Sequence, residues 1–534
     1  MKRRLLIALF TLCGLGLFAQ THIAVSDPDT WTAQELAPYI GQTVIFDVPV
    51  VVCANGSSAL TVSPWRMFEP LNQGIPSSAE YKTAVHVNGT CFMQLGGVDA
   101  YHRCGEKIYH LKAKVNSTSS LTFLSGDWHG NTRADMLAGI PDLGDYRLLV
   151  CGFNLENYFV ANYGSMGASS YTEHQRQRTK IHKALVQINA DIYGLVELEK
   201  GNEAISEIVN DLNNARPERN YKYFHDSSTE AVQKADFVYD ANVVEPVGAP
   251  GMIDAEVKHR KKIICFREIA TGERFIYSIN HFKAMSGGGD TESQRVNEAR
   301  AVVSFYNSYR VNKTIRENDL LLMGDLNAYP FSKPILTLLE NDLTDLHRAF
   351  HADSSYSYRQ RNGTKTAYID HALCNKTMLS QITGMSPYHL NSDETDDYNY
   401  KNSHDNSMFR CSDHDPVLVG LKLDSTISGA PYFNGGDMGA DSLTFYYHYA
   451  PNEADTIPEV FFDIYTVSGF RICQPTRMTY YGIVPEARKK YYTLSDDNPY
   501  LPEEIKQFLP LPSGVYIIHI YYNGTIKAYK LIIR

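Results

Sequence analysis

A chain of 534 residues with 43% hydrophobic and 12% aromatic side chains has room for two to four domains and is too apolar to be disordered. Lys and Arg total 50 against 60 Asp and Glu, and a net charge of −10 argues against a protein that works only by coating nucleic acid with a basic surface. Nine cysteines include no Cys-x-x-Cys pair, so no zinc pattern is present.

Residues 1–20 open with Lys2, Arg3 and Arg4, run through an apolar stretch and end on Ala19-Gln20. That layout predicts a secretory signal, too short to span a bilayer, and therefore an exported protein with no transmembrane segment once mature. Export permits disulfides, and Cys91–Cys104 is a plausible local bridge, whereas Cys151 and Cys265 lie in strand-like runs as buried thiols. Residues 21–143 are expected to form a β-rich domain and its linker. Short Val- and Ile-rich runs at 42–53, 58–62, 82–87, 105–115 and 119–125 are separated by turn clusters. A small barrel of the oligonucleotide-binding type suits five such strands, and a spacer role suits them equally. Residues 129–144, with three glycines and Pro141, read as the linker.

From 144 to 424 apolar strands alternate with amphipathic helices at 172–188, 204–212 and 293–305. A hairpin around Thr271-Gly272 joins two adjacent strands, so the expected sheets are mixed and covered by helices. Six strand-like runs each lie beside a polar residue suited to phosphate chemistry. Residues 146–153 lead to Asn154, 191–196 to Glu197, and 275–280 to His281. The run 319–323 stops at Gly324 and presents Asp325 and Asn327. Tyr368-Ile369 leads into Asp370, and Ser412-Asp-His-Asp415 runs into 417–421. A hard divalent cation takes carboxylate and amide oxygens, and histidines move protons near neutral pH. His281 or Asn154 alone is more often a satisfied core or cap residue, whereas Ser412-Asp-His-Asp415 before a strand is specific to a site.

The ordered set Asn154, Glu197, His281, Asp325-Leu-Asn327, Asp370 and Ser412-Asp-His-Asp415 resembles the endonuclease/exonuclease/phosphatase superfamily. The local runs Asn154-Leu-Glu-Asn-Tyr-Phe159, Asn280-His-Phe-Lys283, Ile369-Asp-His-Ala-Leu373 and His389-Leu-Asn-Ser-Asp-Glu394 are similar to its secreted bacterial nucleases. The resemblance implies a four-layer α/β sandwich with two central mixed sheets. It implies metal ligands Asn154, Glu197 and Asp413, and catalytic residues His281, Asp325, Asn327, Asp370 and His414. The implied ion is Mg2+, with Mn2+ and Ca2+ as alternatives. His371 stands where nucleases of the pancreatic type tend to have Arg. For His389, Asp393 and Glu394 a solvated acidic loop is expected in preference to a second metal site.

Residues 425–534 are expected to form a small β-sandwich, with strands at 461–469, 511–522 and 527–534. The runs Pro512-Ser-Gly-Val-Tyr516 and Lys530-Leu-Ile-Ile-Arg534 resemble the sorting domain of the type IX secretion system, which makes that machinery an expected partner. The expected function is a secreted, metal-dependent nuclease acting on DNA, and on RNA as a second substrate. The alternatives are a phosphatase or phospholipid phosphodiesterase of the same fold, and a non-catalytic surface-binding protein. Basic candidates for strand contact are Arg176, Arg178, Lys180, Lys183, residues 258–262, Arg359, Arg361 and Lys365. A solvated face is the commoner outcome for any one of them.

Overall fold

The computed structural model describes residues 21–25, 31–55, 58–64, 92–99, 101–130, 132–164, 166–225, 232–253, 260–285, 290–351, 355–359, 366–402 and 405–423. Beyond these it describes 433–439, 442–448, 459–466, 471–484, 489–495, 514–522 and 525–533. The signal segment, the strand expected at 82–87, Cys91, Lys258, Arg361 and Lys365 lie outside the described residues. Described residues up to 134 belong to one compact unit and those from 135 onward to another. No described helix is long and apolar enough to cross a membrane.

In the first unit five strands close a ring. Val50–Asn55 pairs with Leu60–Pro64, Leu60–Pro64 with Met93–Gly96, and Met93–Gly96 with Ser120–His129 in parallel. Ser120–His129 returns through Lys107–Ser117 to Val50–Asn55, and Thr43–Phe46 and Thr21–Ile23 extend one side. Alternation along Lys107–Ser117 sends Ile108, Leu111, Ala113 and Val115 into the interior, where they meet Val50, Val52, Leu60, Val62 and Leu95.

The second unit is mixed α/β and holds two six-stranded mixed sheets. Each has one parallel pair at its centre and antiparallel strands on both sides. The first is ordered Tyr221–Tyr223, Gln233–Asp240, Ile192–Glu199, Leu148–Tyr158, Val417–Leu421, Ile382–Pro387, and its parallel pair is Leu148–Tyr158 with Ile192–Glu199. The second is ordered Val244–Met252, Lys261–Glu268, Arg274–His281, Leu320–Asp325, Asp370–Asn375, Leu343–Asp345, with Arg274–His281 and Leu320–Asp325 in parallel.

The unbroken apolar runs follow from burial on both faces. Leu148, Val150, Ile192, Ile264, Phe266, Leu321 and Met323 meet between the two sheets. Their strand neighbours Leu149, Cys151, Tyr193 and Leu195 turn outward onto Ile181, Leu185, Ile205 and Leu212 of helices Tyr171–Ile188 and Glu203–Ala215. On the other side Ile263, Cys265, Leu320 and Leu322 pack on Val302 and Ile335 of helices Thr291–Tyr309 and Lys333–Leu339. The stack is helix, sheet, sheet, helix. Cys151 and Cys265 are buried thiols within it, and burial pushes the Cys265 thiol up to about 12. Residues 135–143 serve as more than a linker: Leu143 is buried in the first sheet's outer core, and its carbonyl accepts the Thr383 hydroxyl at 2.7 Å.

Gly324 terminates the central strand. Its φ is +127°, and a Cβ there would lie 2.0 Å from the Asn280 carbonyl oxygen of the parallel neighbour. Gly324→Ala therefore combines a strained φ with a backbone clash. It is expected to cost about 3 kcal/mol, which a denaturant midpoint shift at unchanged slope checks. A midpoint equal to that of the parent protein would contradict the strain.

At the C-terminal end the described strands form two four-stranded antiparallel sheets. One is ordered Phe433–Gly439, Ser442–His448, Lys489–Ser495, Thr479–Val484; the other Arg471–Arg477, Val460–Thr466, Gly514–Tyr522, Thr525–Ile533. Three strands were expected there; the additional ones include Thr479–Val484 and Lys489–Ser495 within the long insert.

Candidate active site

The six polar positions converge because of strand direction. In the parallel pairs Asn154 lies opposite Val196, beside Glu197, and His281 lies opposite Asp325. The antiparallel neighbours run the other way, so Asp370 starts its strand opposite Asp325, and Asp413-His414 sits just before the strand Val417–Leu421. All eight expected site residues lie at one edge of the two sheets.

His281 Nε2 is 3.6 Å from Glu197 Oε1 and 3.7 Å from Asp325 Oδ2. Asn154 Nδ2 donates to Asp325 Oδ2 at 3.1 Å, and the Asn157 amide donates to Glu197 Oε2 at 2.8 Å. Across Asp325, His414 Nδ1 donates to Asp370 Oδ2 at 2.7 Å while its Nε2 stands 3.9 Å from both Asp325 Oδ2 and Asp413 Oδ1. Asn327 has a left-handed backbone, φ +46°, which turns its amide nitrogen back onto Asp325 Oδ2 at 3.2 Å and the Phe282 carbonyl at 3.1 Å. These contacts fix Asp325 in place. Glu197 is also left-handed, φ +62°, in mid-strand, a local strain of the kind that concentrates at functional sites.

The electrostatics separate the groups. Burial raises Glu197 to about 7, with the Asp413 charge adding to the shift and the His414 charge opposing it. Burial likewise raises Asp325 to about 7, opposed by the His414 charge. Burial works against a charge on His414, yet the carboxylates of Asp370, Asp413 and Asp325 outweigh it and hold its proton well above the ordinary range. Burial, with the charges of Arg260, His414 and Lys261, keeps His281 neutral. Two histidines on one site thus carry different charges.

These residues fit a divalent ion. The ligand atoms of Glu197, His281 and Asp325 lie within 4.8 Å of one another, as do those of Asp325, Asp370 and His414. Carboxylate oxygens crowded together, which burial pushes up to about 7, are a donor set for a hard cation.

Sequence reasoning missed several contributors. Ser357, fully buried, donates to Asp370 Oδ2 at 2.7 Å, and His347 Nε2 donates to the Asp370 carbonyl at 2.9 Å. Ser412 Oγ donates to the Asn154 carbonyl at 2.7 Å and so ties the two sides of the first sheet's site edge together. His371 is buried with Nε2 on the Ala328 carbonyl at 2.7 Å, outside the site.

Other expectations are corrected. The acidic run after His389 is buried, not solvated: Asp393 accepts from the Tyr356 hydroxyl at 2.9 Å, and Asp415 accepts from the amides of Asn391 and Ser392 and from His389. Lys180 is buried on Asp405 at 2.7 Å, Lys183 donates to the Asn406 carbonyl, Arg178 pairs with Asp211, and Arg176 donates to the Tyr400 carbonyl. Arg359 donates to the Glu394 carbonyl. Lys261 and Lys262 are buried on opposite faces of one strand, paired at 2.7 Å with Glu298 and Asp236. These bases are structural, and breaking one buried pair by removing a partner costs about 3–5 kcal/mol. Lys283 is held through its main chain, which meets Glu298 and Arg295.

The profile of the endonuclease/exonuclease/phosphatase family matches residues 156–408. No curated protein matches the chain. Among solved structures, an endonuclease/exonuclease/phosphatase family protein from Bacteroides thetaiotaomicron is similar at 17% identity and a TM-score of 0.38, covering 51% of this chain and 97% of that one. A mannosyl-6-phosphatase of the same organism is similar at 17% identity and a TM-score of 0.38, covering 52% and 100%. The human Nocturnin catalytic domain is similar at 14% identity and 0.37, covering 52% and 94%. Asn154 falls just outside the matched span, on the strand that pairs with that of Glu197, and Asp413-His414 fall outside it just before the strand Val417–Leu421 of the same sheet. Residues 156–408 of this chain match the endonuclease/exonuclease/phosphatase family, and the eight candidate site residues lie in or just beside that span.

Proposed function

We propose that the protein is an exported nuclease that hydrolyses phosphodiester bonds of DNA, with RNA as a second substrate, using Mg2+. The observation that carries the reading is the convergence on Asp325: His281 Nε2 stands 3.7 Å from its Oδ2 on one side and His414 Nε2 3.9 Å from it on the other, with Asp370 holding His414 Nδ1 at 2.7 Å. Asn154, Glu197 and Asp413 would hold the ion through oxygens. A bound divalent cation supplies charge that polarises a phosphate oxygen and steadies the departing one.

The chain's own residues do the rest. Asp325, aligned by Asn154 and Asn327, orients a water and takes its proton as the new P–O bond forms. His414 donates from Nε2 toward the phosphate and gives its proton to the oxygen that leaves as the ester bond breaks. Asp370 holds the imidazolium by its other nitrogen, and Ser357 steadies Asp370. His281, neutral and buried, offers an uncharged ring nitrogen beside Glu197 and Asp325. Donors fixed in a site that excludes water are worth more than the same donors at the surface.

Zymograms with DNA and RNA in separate gels, beside assays of a diester and a monoester of 4-nitrophenol, test the substrate class. Clearing of DNA, with diester turnover exceeding monoester turnover, is expected. A monoester or phospholipid turned over more efficiently than DNA would replace the nuclease with the phosphatase reading.

The closed five-stranded ring of the N-terminal unit is proposed as a small barrel of the oligonucleotide-binding type, with a spacer role as the alternative. Residues 425–534, with their likeness to a type IX sorting domain, are proposed as the export address. A chain lacking them is expected to cleave normally when purified and to stay within the cell envelope. Normal secretion of that truncated form would reduce the segment to an accessory domain.

A further inference from the structure

Two half-buried polar side chains at the site have no hydrogen-bond partner among the described residues. One is Arg260. Its carbonyl accepts the His281 amide at 2.8 Å, so its place at the site edge is fixed by the sheet. Its two neighbours in sequence are consumed by buried ion pairs, whereas the guanidinium makes no ion pair within 4 Å. Its charge nonetheless lies in the field of Glu197, Glu298 and Asp325 and depresses the proton affinity of His281.

The other is Tyr358. It forms a backbone bridge with His414, its ring centroid is 5.0 Å from that of His414, and its hydroxyl stands in the field of His414, Asp413 and Asp325. Behind the ring is a small apolar cluster separate from the main cores, made of Tyr329, Ala367 and Ile369 with Met285 against it.

The two flanks are far apart. Arg260 immediately precedes the second strand of its sheet, Lys261–Glu268, His281 ends the third, Asp325 ends the fourth and Asp370 starts the fifth. Three strand spacings of about 4.8 Å put roughly 14 Å between the Arg260 flank and the Asp370–His414 flank where Tyr358 lies. A single phosphate beside Asp325 occupies only the middle of that span.

We propose that Arg260 holds the phosphate next to the one being cut, and that Tyr358 stacks a planar base on the other side, so that the site selects an oligonucleotide strand. This rests on the nuclease reading and names its substrate contacts. A guanidinium offers paired donors that match phosphate oxygens, and an aromatic ring backed by apolar groups offers a face to any base.

The test compares kcat/KM on a labelled single-stranded oligonucleotide with that on bis(4-nitrophenyl) phosphate, a diester with planar groups and one phosphate. Arg260→Gln is expected to lose roughly tenfold more on the oligonucleotide than on the small diester, mostly in KM, the size of one charge-assisted phosphate contact. Arg260→Lys recovers part of that loss and, with an unchanged melting curve, separates the contact from misfolding. Tyr358→Ala is expected to raise KM roughly tenfold to a hundredfold on both substrates, and Tyr358→Phe to raise it little, because stacking needs only the ring. Equal losses on both substrates for Arg260→Gln would overturn the neighbouring-phosphate assignment, and no loss on either would overturn the contact. A parent protein that cleaves the small diester and no oligonucleotide would instead defeat the nuclease reading itself, whatever the variants do.

Discussion

Replacing His414 by alanine is expected to lower turnover roughly a hundredfold to ten-thousandfold, the range for a positioned proton carrier, while the protein stays folded. The ring makes one strong bond, to Asp370 at 2.7 Å, and lies at the edge of the sheets, away from the apolar layers. The same variant should lose the alkaline limb of the rate profile. His414 is cationic in the folded protein, so as the acid it is active at low pH and fails as pH rises through its raised value. Its linked contribution to stability has the same sign: present below the ordinary value of 6.5, lost as pH climbs through the folded one. Asp370→Asn removes the carboxylate that holds the proton and should move the alkaline limb to lower pH with a smaller rate loss. An unmoved limb would show that the pair is not coupled.

Glu197→Gln is expected to reduce turnover about a hundredfold to a thousandfold, the usual loss when one preorganised electrostatic group is removed. Its effect on stability runs the other way. In the metal-free protein Glu197 sits at about 7 against an ordinary 4.5, so the folded state binds more protons than the unfolded one between those values. Stability therefore falls as pH rises through that window, and the cost is complete above it. The amide carries no such cost. Without metal at pH 8, Glu197→Gln should melt higher than the parent and should lose most of the stabilisation that added Mg2+ gives the parent. A variant that melts lower and still responds fully to Mg2+ would show that Glu197 is structural and not a ligand.

Much of this was legible because a strand buried on both faces has only its end to offer. Leu320 to Met323 alternate between two cores, leaving Asp325 the first side chain free to act, and Gly324 marks the place where the backbones come too close for a Cβ. The alternation that exposes this pattern also hides its exceptions. The strand Gln233–Asp240 carries Lys234 and Asp236 in mid-run, yet both are buried: Asp236 pairs with Lys234 on its own strand and with Lys262 across the sheets. The basic run at 258–262 reads as one patch, but pleating sends Lys261 and Lys262 to opposite faces and leaves Arg260 at the site. Ser357 and Tyr358 carry no local signal at all. They matter because a short hairpin brings Ser357 to Asp370 and pairs Tyr358 with His414, distant in the chain. The acidic loop after His389 reads as solvated since its partners, the Tyr356 hydroxyl and the Asp415 carboxylate, are likewise supplied by the fold.

The most direct measurement is the rate of cleavage of a labelled oligonucleotide by the purified chain, first in excess chelator and then after Mg2+ is restored. The proposed ligands Asn154, Glu197 and Asp413 predict a loss of at least about a hundredfold in chelator and full recovery with the ion. Undiminished turnover in excess chelator would contradict the metal-dependent hydrolysis assigned to this site.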